Sequence, residues 1–155
     1  MCRLVRRNEV FLRLKTADLH GGKLADKNIE AVICLLDDQG NPVPNCVEVV
    51  TPDKLVHKLS HHSRVLAHED RPKFDEIVKL RLPKYGVKNL HVRILFYNRK
   101  LAVAANEKVE KKADKVDKGP FAMCFLHVIR NYVMLCEVGE DELLVYRQEK
   151  VELRQ

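Results

Sequence analysis

Apolar and polar residues alternate one for one along much of this chain. The run from Glu9 to Lys15 puts Val10, Leu12 and Leu14 on one face. Ile29, Ala31, Ile33 and Leu35 do the same in the segment ending at Leu36. A period of two is the side-chain repeat of a β-strand. Asp37-Asp38-Gln39-Gly40-Asn41-Pro42 then reads as a turn, with Cys46 to Val50 as the returning strand. Further strands are predicted over Arg64 to His68, Glu76 to Leu82, Leu90 to Tyr97, Phe121 to Ile129 and Glu142 to Arg147. Only Pro52 to Ser60 and Leu101 to Lys118 are open to a helical reading. About eight short strands without interleaved helices predict an all-β fold, an antiparallel sandwich rather than a doubly wound α/β sheet.

The 155 residues suit one domain, expected over 7–150 with short flanks at 1–6 and 151–155. Hydrophobic residues make up 46% and charged residues 32%, intermixed, which argues for a packed core. The five cysteines are odd in number, widely spaced and free of any C-x-x-C pair. Cys34, Cys124 and Cys136 lie in apolar runs, as reduced thiols in a cytoplasmic compartment do. The basic stretch Met1 to Arg7 leads into no apolar segment of a signal peptide, and no run approaches a membrane span.

Lysine and arginine exceed the acids by 28 to 22, so the partner sought is anionic. Three long stretches between the strands carry the basic residues. The first, 17–27, holds His20, Gly21, Gly22, Lys23 and Lys27; the second, 51–63, holds Lys54, His57, Lys58, His61 and His62. The third, 100–119, begins at Lys100 and has six lysines against four acids. Rigid sandwiches present function on such loops.

Enzyme chemistry finds little support. His57, His61 and His62 form a cluster that a helix would gather, but no HExxH, cysteine pair or nearby acid completes a metal set. No nucleophile elbow surrounds any cysteine. Gly21-Gly22-Lys23 lacks P-loop spacing, although two glycines beside a lysine can turn amides and an ammonium toward one phosphate. Nucleic acid is disfavoured by a 6% aromatic content with no tryptophan. Calcium is disfavoured because Asp37 and Asp38 share a tight turn and the basic loops offer few acids. No cofactor is expected.

Several segments in order resemble a known family. They are Arg7-Asn8-Glu9-Val10, Gly22-Lys23, Lys27-Asn28-Ile29-Glu30, Asp37-Asp38-Gln39-Gly40 and Arg71-Pro72-Lys73-Phe74-Asp75-Glu76. Leu82-Pro83, Leu90 to Phe96, Phe121-Ala122-Met123 and Asp141 to Tyr146 continue the series. Together they resemble the C2-type lipid-binding domain (DOCK homology region one) of the dedicator-of-cytokinesis family, in the branch of its engulfment and myoblast-fusion members. The resemblance implies a C2-like eight-stranded sandwich with long basic loops at one end that bind phosphatidylinositol 3,4,5-trisphosphate. It implies a non-catalytic domain that brings a Rac-type guanine nucleotide exchange factor from the cytoplasm to the plasma membrane. Calcium and nucleic acid are not required, and a Rac-type GTPase is met only through the parent protein and its other domains.

Carried over by position, the resemblance implies head-group roles for Lys23, Lys27, His62 and Arg99, to which Arg64 is added as part of the opposite wall. His20, Lys54, Lys58, His61 and Lys100 form a secondary basic surface. His20 stands where relatives often carry lysine, and 54–62 departs from the family pattern. For Arg64 and Arg99 the plainer role is solvation of strand ends. The rival function is a protein-interaction sandwich within a larger signalling protein.

Overall fold

The computed structural model describes residues 8–19, 28–68, 71–83, 87–99, 119–135 and 139–147. Every regular element among them is a strand: β1 (Glu9–Thr16), β2 (Asn28–Leu36), β3 (Val47–Val50), β4 (Leu55–Lys58), β5 (Ser60–His62) and β6 (Leu66–Ala67). Then come β7 (Lys73–Arg81), β8 (Leu90–Asn98), β9 (Ala122–Arg130), β10 (Val133–Met134) and β11 (Tyr146–Arg147). One sheet runs β1-β7-β3-β4; the other runs β10-β9-β8-β2-β5, with β11 on β9 and β6 on β2. All the pairings are antiparallel. This is the expected all-β, C2-like sandwich.

Period-two patterning explains the layers. On β7, Phe74, Val78 and Leu80 are buried, and Val10 and Leu12 of β1 lie opposite Leu80 and Val78. On β2, Ile29, Ala31, Ile33 and Leu35 are fully buried and meet the inward residues of β8 and β9, among them Ile94, Phe96 and Cys124. The rings of Phe74 and Phe96 join the two sheets at 6.4 Å. The alternate phase of β2 is buried as well, at Val32, Cys34 and Leu36. This strand lies between β8 and β5, whose side chains flank it on both sides.

The turn after β2 matches its sequence. Asp37 accepts the N–H groups of Gln39 and Asn41, both at 2.9 Å, and Gly40 takes φ 78°. Near the start of β7, Phe74 and Asp75 together oppose Lys15, a bulge in which Asp75 adopts φ 47°.

The 51–63 stretch differs from expectation. It is neither a basic loop nor a helix over 52–60, but a β3–β4 hairpin followed by β5. Leu55 and Val56 pair with Val50 and Val49, and cross-strand pairing outweighs the weak helical spacing. The strands expected at 64–68 and 142–147 shrink to Leu66–Ala67 and Tyr146–Arg147. The helical candidate at 101–118 lies outside the described residues.

Cys34, Cys46 and Cys124 are free and buried. Burial pushes the Cys46 thiol up and that of Cys124 to about 11. In the native protein these three are expected to resist iodoacetamide at neutral pH and to react once urea unfolds the chain, as read by intact-mass spectrometry; labelling of Cys124 without denaturant would contradict its burial. The folded Cys124 thiol ionises above its ordinary 9.0. Its contribution to stability is therefore whole below pH 9 and is lost as pH rises toward about 11.

Candidate functional site

β5 sends its two histidines to opposite faces. His61 lies opposite Ile33 and points between the sheets, whereas His62 lies opposite Val32 on the outer face. The bend that follows is fixed by buried Ser63, which exchanges hydrogen bonds with Ala31: its N–H donates to the Ala31 carbonyl, and its hydroxyl accepts from the Ala31 N–H. That bend sets Arg64.

Between the sheets a carboxylate collects these groups. Glu76 Oε1 is 3.2 Å from His61 Nε2, and Oε2 accepts the main-chain N–H of Arg64 at 3.0 Å. The Arg64 guanidinium lies 3.8 Å from the same oxygen and donates to the Phe74 carbonyl at 2.6 Å. One residue cluster therefore clips β5 and its following bend to β7 of the other sheet.

A second carboxylate works on the outer face. Glu30 Oε1 lies 2.7 Å from His62 Nδ1 and 3.6 Å from Arg99 Nη2. The Arg99 guanidinium stacks 4.2 Å from the ring centre of Tyr97, which is the cross-strand partner of Glu30. The Arg99 N–H also donates to the Asn28 carbonyl at 2.8 Å. Asn28 follows Lys27 directly in the chain, so Arg99 is tied to the residue next to the first basic stretch.

Of the residues singled out from sequence, His62 and Arg99 share one carboxylate, and His61 and Arg64 share another. Each cluster holds one acid and one permanent cation, and its imidazole adds charge only when protonated. Lys54 sits at the tip of the β3–β4 hairpin, in a turn closed by Thr51. Lys58 lies opposite Val47, which faces Leu80, toward the far end of β7 from Phe74 and Arg64. His57 contacts Arg81 at 3.0 Å on the outer face of β4, so the helical His57–His61 pairing is not formed. Among the described residues no group of three histidines, cysteines or acids is placed to hold a metal. His20, Lys23, Lys27 and Lys100 lie outside the described residues.

Glu30, Glu76 and Tyr97 carry this geometry and were not singled out from sequence. Glu76 had a legible signal, because it occupies the inward phase of β7 between Phe74 and Val78. A carboxylate at such a position needs partners.

Comparison with known proteins places the chain. Residues 4–155 match a family model described as the C2 domain in Dock180 and Zizimin proteins. Dedicator of cytokinesis protein 3 of Mus musculus is 29% identical over 142 residues, and the Homo sapiens protein of that name matches to the same extent. The match covers 91% of this chain and 6% of each relative. Dedicator of cytokinesis protein 4 of Mus musculus is 24% identical over 145 residues, covering 93% of this chain and 7% of the relative. The chain thus spans only a small fraction of these relatives.

Proposed function

The chain belongs to the family of C2 domains in Dock180 and Zizimin proteins, and from that premise we propose that it is a non-catalytic membrane-targeting domain. It recognises the head group of phosphatidylinositol 3,4,5-trisphosphate and recruits a longer guanine nucleotide exchange factor, active on Rac-type GTPases through another region, to the plasma membrane. The observation that supports this reading is the tie between Arg99 and Asn28, the residue directly after Lys27, which belongs with the Arg99–Glu30–His62 cluster. No helix among the described residues is long and apolar enough to cross a membrane, which is compatible with attachment from outside the bilayer.

Charge alone does not give selectivity. A basic side chain close to an anionic leaflet contributes about 1 kcal/mol, so five of them supply about 5 kcal/mol, little beyond millimolar binding. Arg64 and Arg99 contribute less than that, because Glu76 and Glu30 already neutralise them. The reading therefore rests on Lys23 and Lys27 as the leading phosphate ligands, beside a glycine pair able to offer main-chain amides.

The test is co-sedimentation with vesicles of equal total charge, containing the 3,4,5-trisphosphate, the 4,5-bisphosphate or only phosphatidylserine. Wild-type chain is expected to prefer the trisphosphate, with about a tenfold loss or more in the Lys23→Glu/Lys27→Glu variant. Equal binding to all three vesicles would reduce the site to a basic surface. Absence of binding would end the lipid reading.

A further inference from the structure

β3 and β7 are paired at only two positions, Val47 with Leu80 and Glu48 with Lys79. Continued by two more residues, the register would set Val50 opposite Ile77, yet no pairing occurs there. β3 instead stays with β4 along its whole length, to Val50 opposite Leu55, and splays from β7. A cavity of about 370 Å³ opens in the split, within the usual size range of binding clefts. Val49, Val50, Ile77 and Val78 line it, and His61 reaches it from the other sheet.

The main chain at this split is unusual for a central strand. Arg81 donates its N–H to the Cys46 carbonyl at 2.7 Å, so on this edge the hydrogen-bonding positions of β7 recur at Arg81, Lys79 and Ile77. Ile77 is the rung that β3 leaves without pairing. Around it, apolar side chains face solvent: Phe11 is 66% exposed, Ile77 56% and Val50 81%.

Beside the split the charges balance. Lys79 lies 3.0 Å from Glu48 and 3.3 Å from Glu9, and its ammonium sits 5.9 Å from the centre of the Phe11 ring. Arg13 pairs with Asp75 at 3.8 Å. Arg81 completes a balance of three bases against three acids, in a chain whose net charge is +6. A phosphate or an acidic surface gains nothing here, whereas an uncharged apolar segment finds the open rung at Ile77 and uncovered side chains.

We propose that the β3–β7 split is a docking cleft for an extended, largely uncharged polypeptide segment, whose main chain runs along Ile77 and whose alternate apolar side chains cover Phe11, Val50 and the cleft wall. This is strand addition at a built-in interruption of the sheet. It shares His61 with the Glu76 cluster and rests on neither Lys23 nor Lys27.

The experiment selects peptides of roughly ten residues from a random display library against the whole chain. Binding of the enriched peptides is then measured to wild type, Ile77→Lys, Phe11→Ser and Lys23→Glu/Lys27→Glu. Both cleft substitutions fall on exposed side chains, and an unchanged urea midpoint verifies that each variant folds. The expected peptides carry apolar residues at every second position and bind Ile77→Lys and Phe11→Ser about tenfold more weakly or worse. They bind the double lysine variant as wild type, and they slow hydrogen exchange at the Ile77 amide. Failure to enrich any peptide, enrichment without the alternation, or equal binding to the cleft variants overturns the proposal. So does a wild-type dimer in sedimentation that Ile77→Lys converts to monomer, because it gives the face to a second copy.

Discussion

Phe96→Ala is expected to lower unfolding stability by about 4 kcal/mol, in the middle of the range for removing a buried aromatic ring. Phe96 is 1% exposed and sits between Ala31 on β2 and Ala122 on β9, its cross-strand partners on either side. Those alanines leave the space that the ring fills, and neither can reach into it when the ring is gone. Phe74, 6.4 Å away across the sandwich, loses its aromatic neighbour as well. For a chain of this length the melting midpoint should drop by roughly 8–16 °C. Phe11→Ala is the control. Its ring is 66% exposed, and the expected change is within about 0.5 kcal/mol. Urea unfolding of both variants decides the matter, and a Phe96→Ala loss below about 2 kcal/mol would show that the two sheets close over the cavity. The position also bears on the Arg99 cluster. The Phe96 carbonyl accepts the N–H of Phe121, and Arg99 lies three residues further along the chain.

Much of this architecture was legible from alternation alone. β1, β2, β7, β8 and β9 are the long strands, and each announces itself through a run of inward apolar residues at a spacing of two. The turn at Asp37 was legible because aspartate, glycine and proline each do a distinct job there. The stretch 51–63 was not legible, for a physical reason. β4 and β5 are four and three residues long, too short for a period of two to stand out, and β5 pairs with β2, which is remote in sequence. His61 and His62 therefore read as loop cations, when they are strand residues on opposite faces. The split of β3 from β7 left no trace in the sequence, because register is a property of two strands together.

The candidate site shows the same division. Basic residues were easy to collect, but charge counting does not reveal which cations a fold has already paired. The Arg64 side chain is 64% exposed, while its main chain and one nitrogen are held by Glu76 and Phe74. Arg99 is held more deeply, with a side chain 26% exposed against Glu30 and Tyr97. These two arginines position the end of the sandwich even if they also meet a phosphate, and a ligand that recruits them has to compete with carboxylates already in place.

Glu76→Ala is expected to cost about 2–3 kcal/mol, far more than a surface acid. The Glu76 side chain is 20% exposed and lies between Phe74 and Val78 on the inward phase of β7. It accepts the Arg64 N–H and contacts His61, so truncation removes the acceptor of a main-chain donor and the partner of a half-buried imidazole at once. Arg64→Ala should cost only about 1 kcal/mol, because the exposed ion pair is weak and the main-chain hydrogen bond to Glu76 survives. Glu76→Gln, which keeps an acceptor in place, should fall between the wild type and the alanine variant. The ordering separates a structural clip from a charge ornament, since an ion pair alone would make Arg64→Ala and Glu76→Ala equal. Urea midpoints of the three variants measure it, with the amide exchange of Arg64 as a local reporter. A Glu76→Ala cost under about 0.5 kcal/mol, within the usual surface range, would mean that the carboxylate is solvated. Arg64 would then be a free cation, joined by His61 when protonated, and the weight of head-group binding would move back onto them.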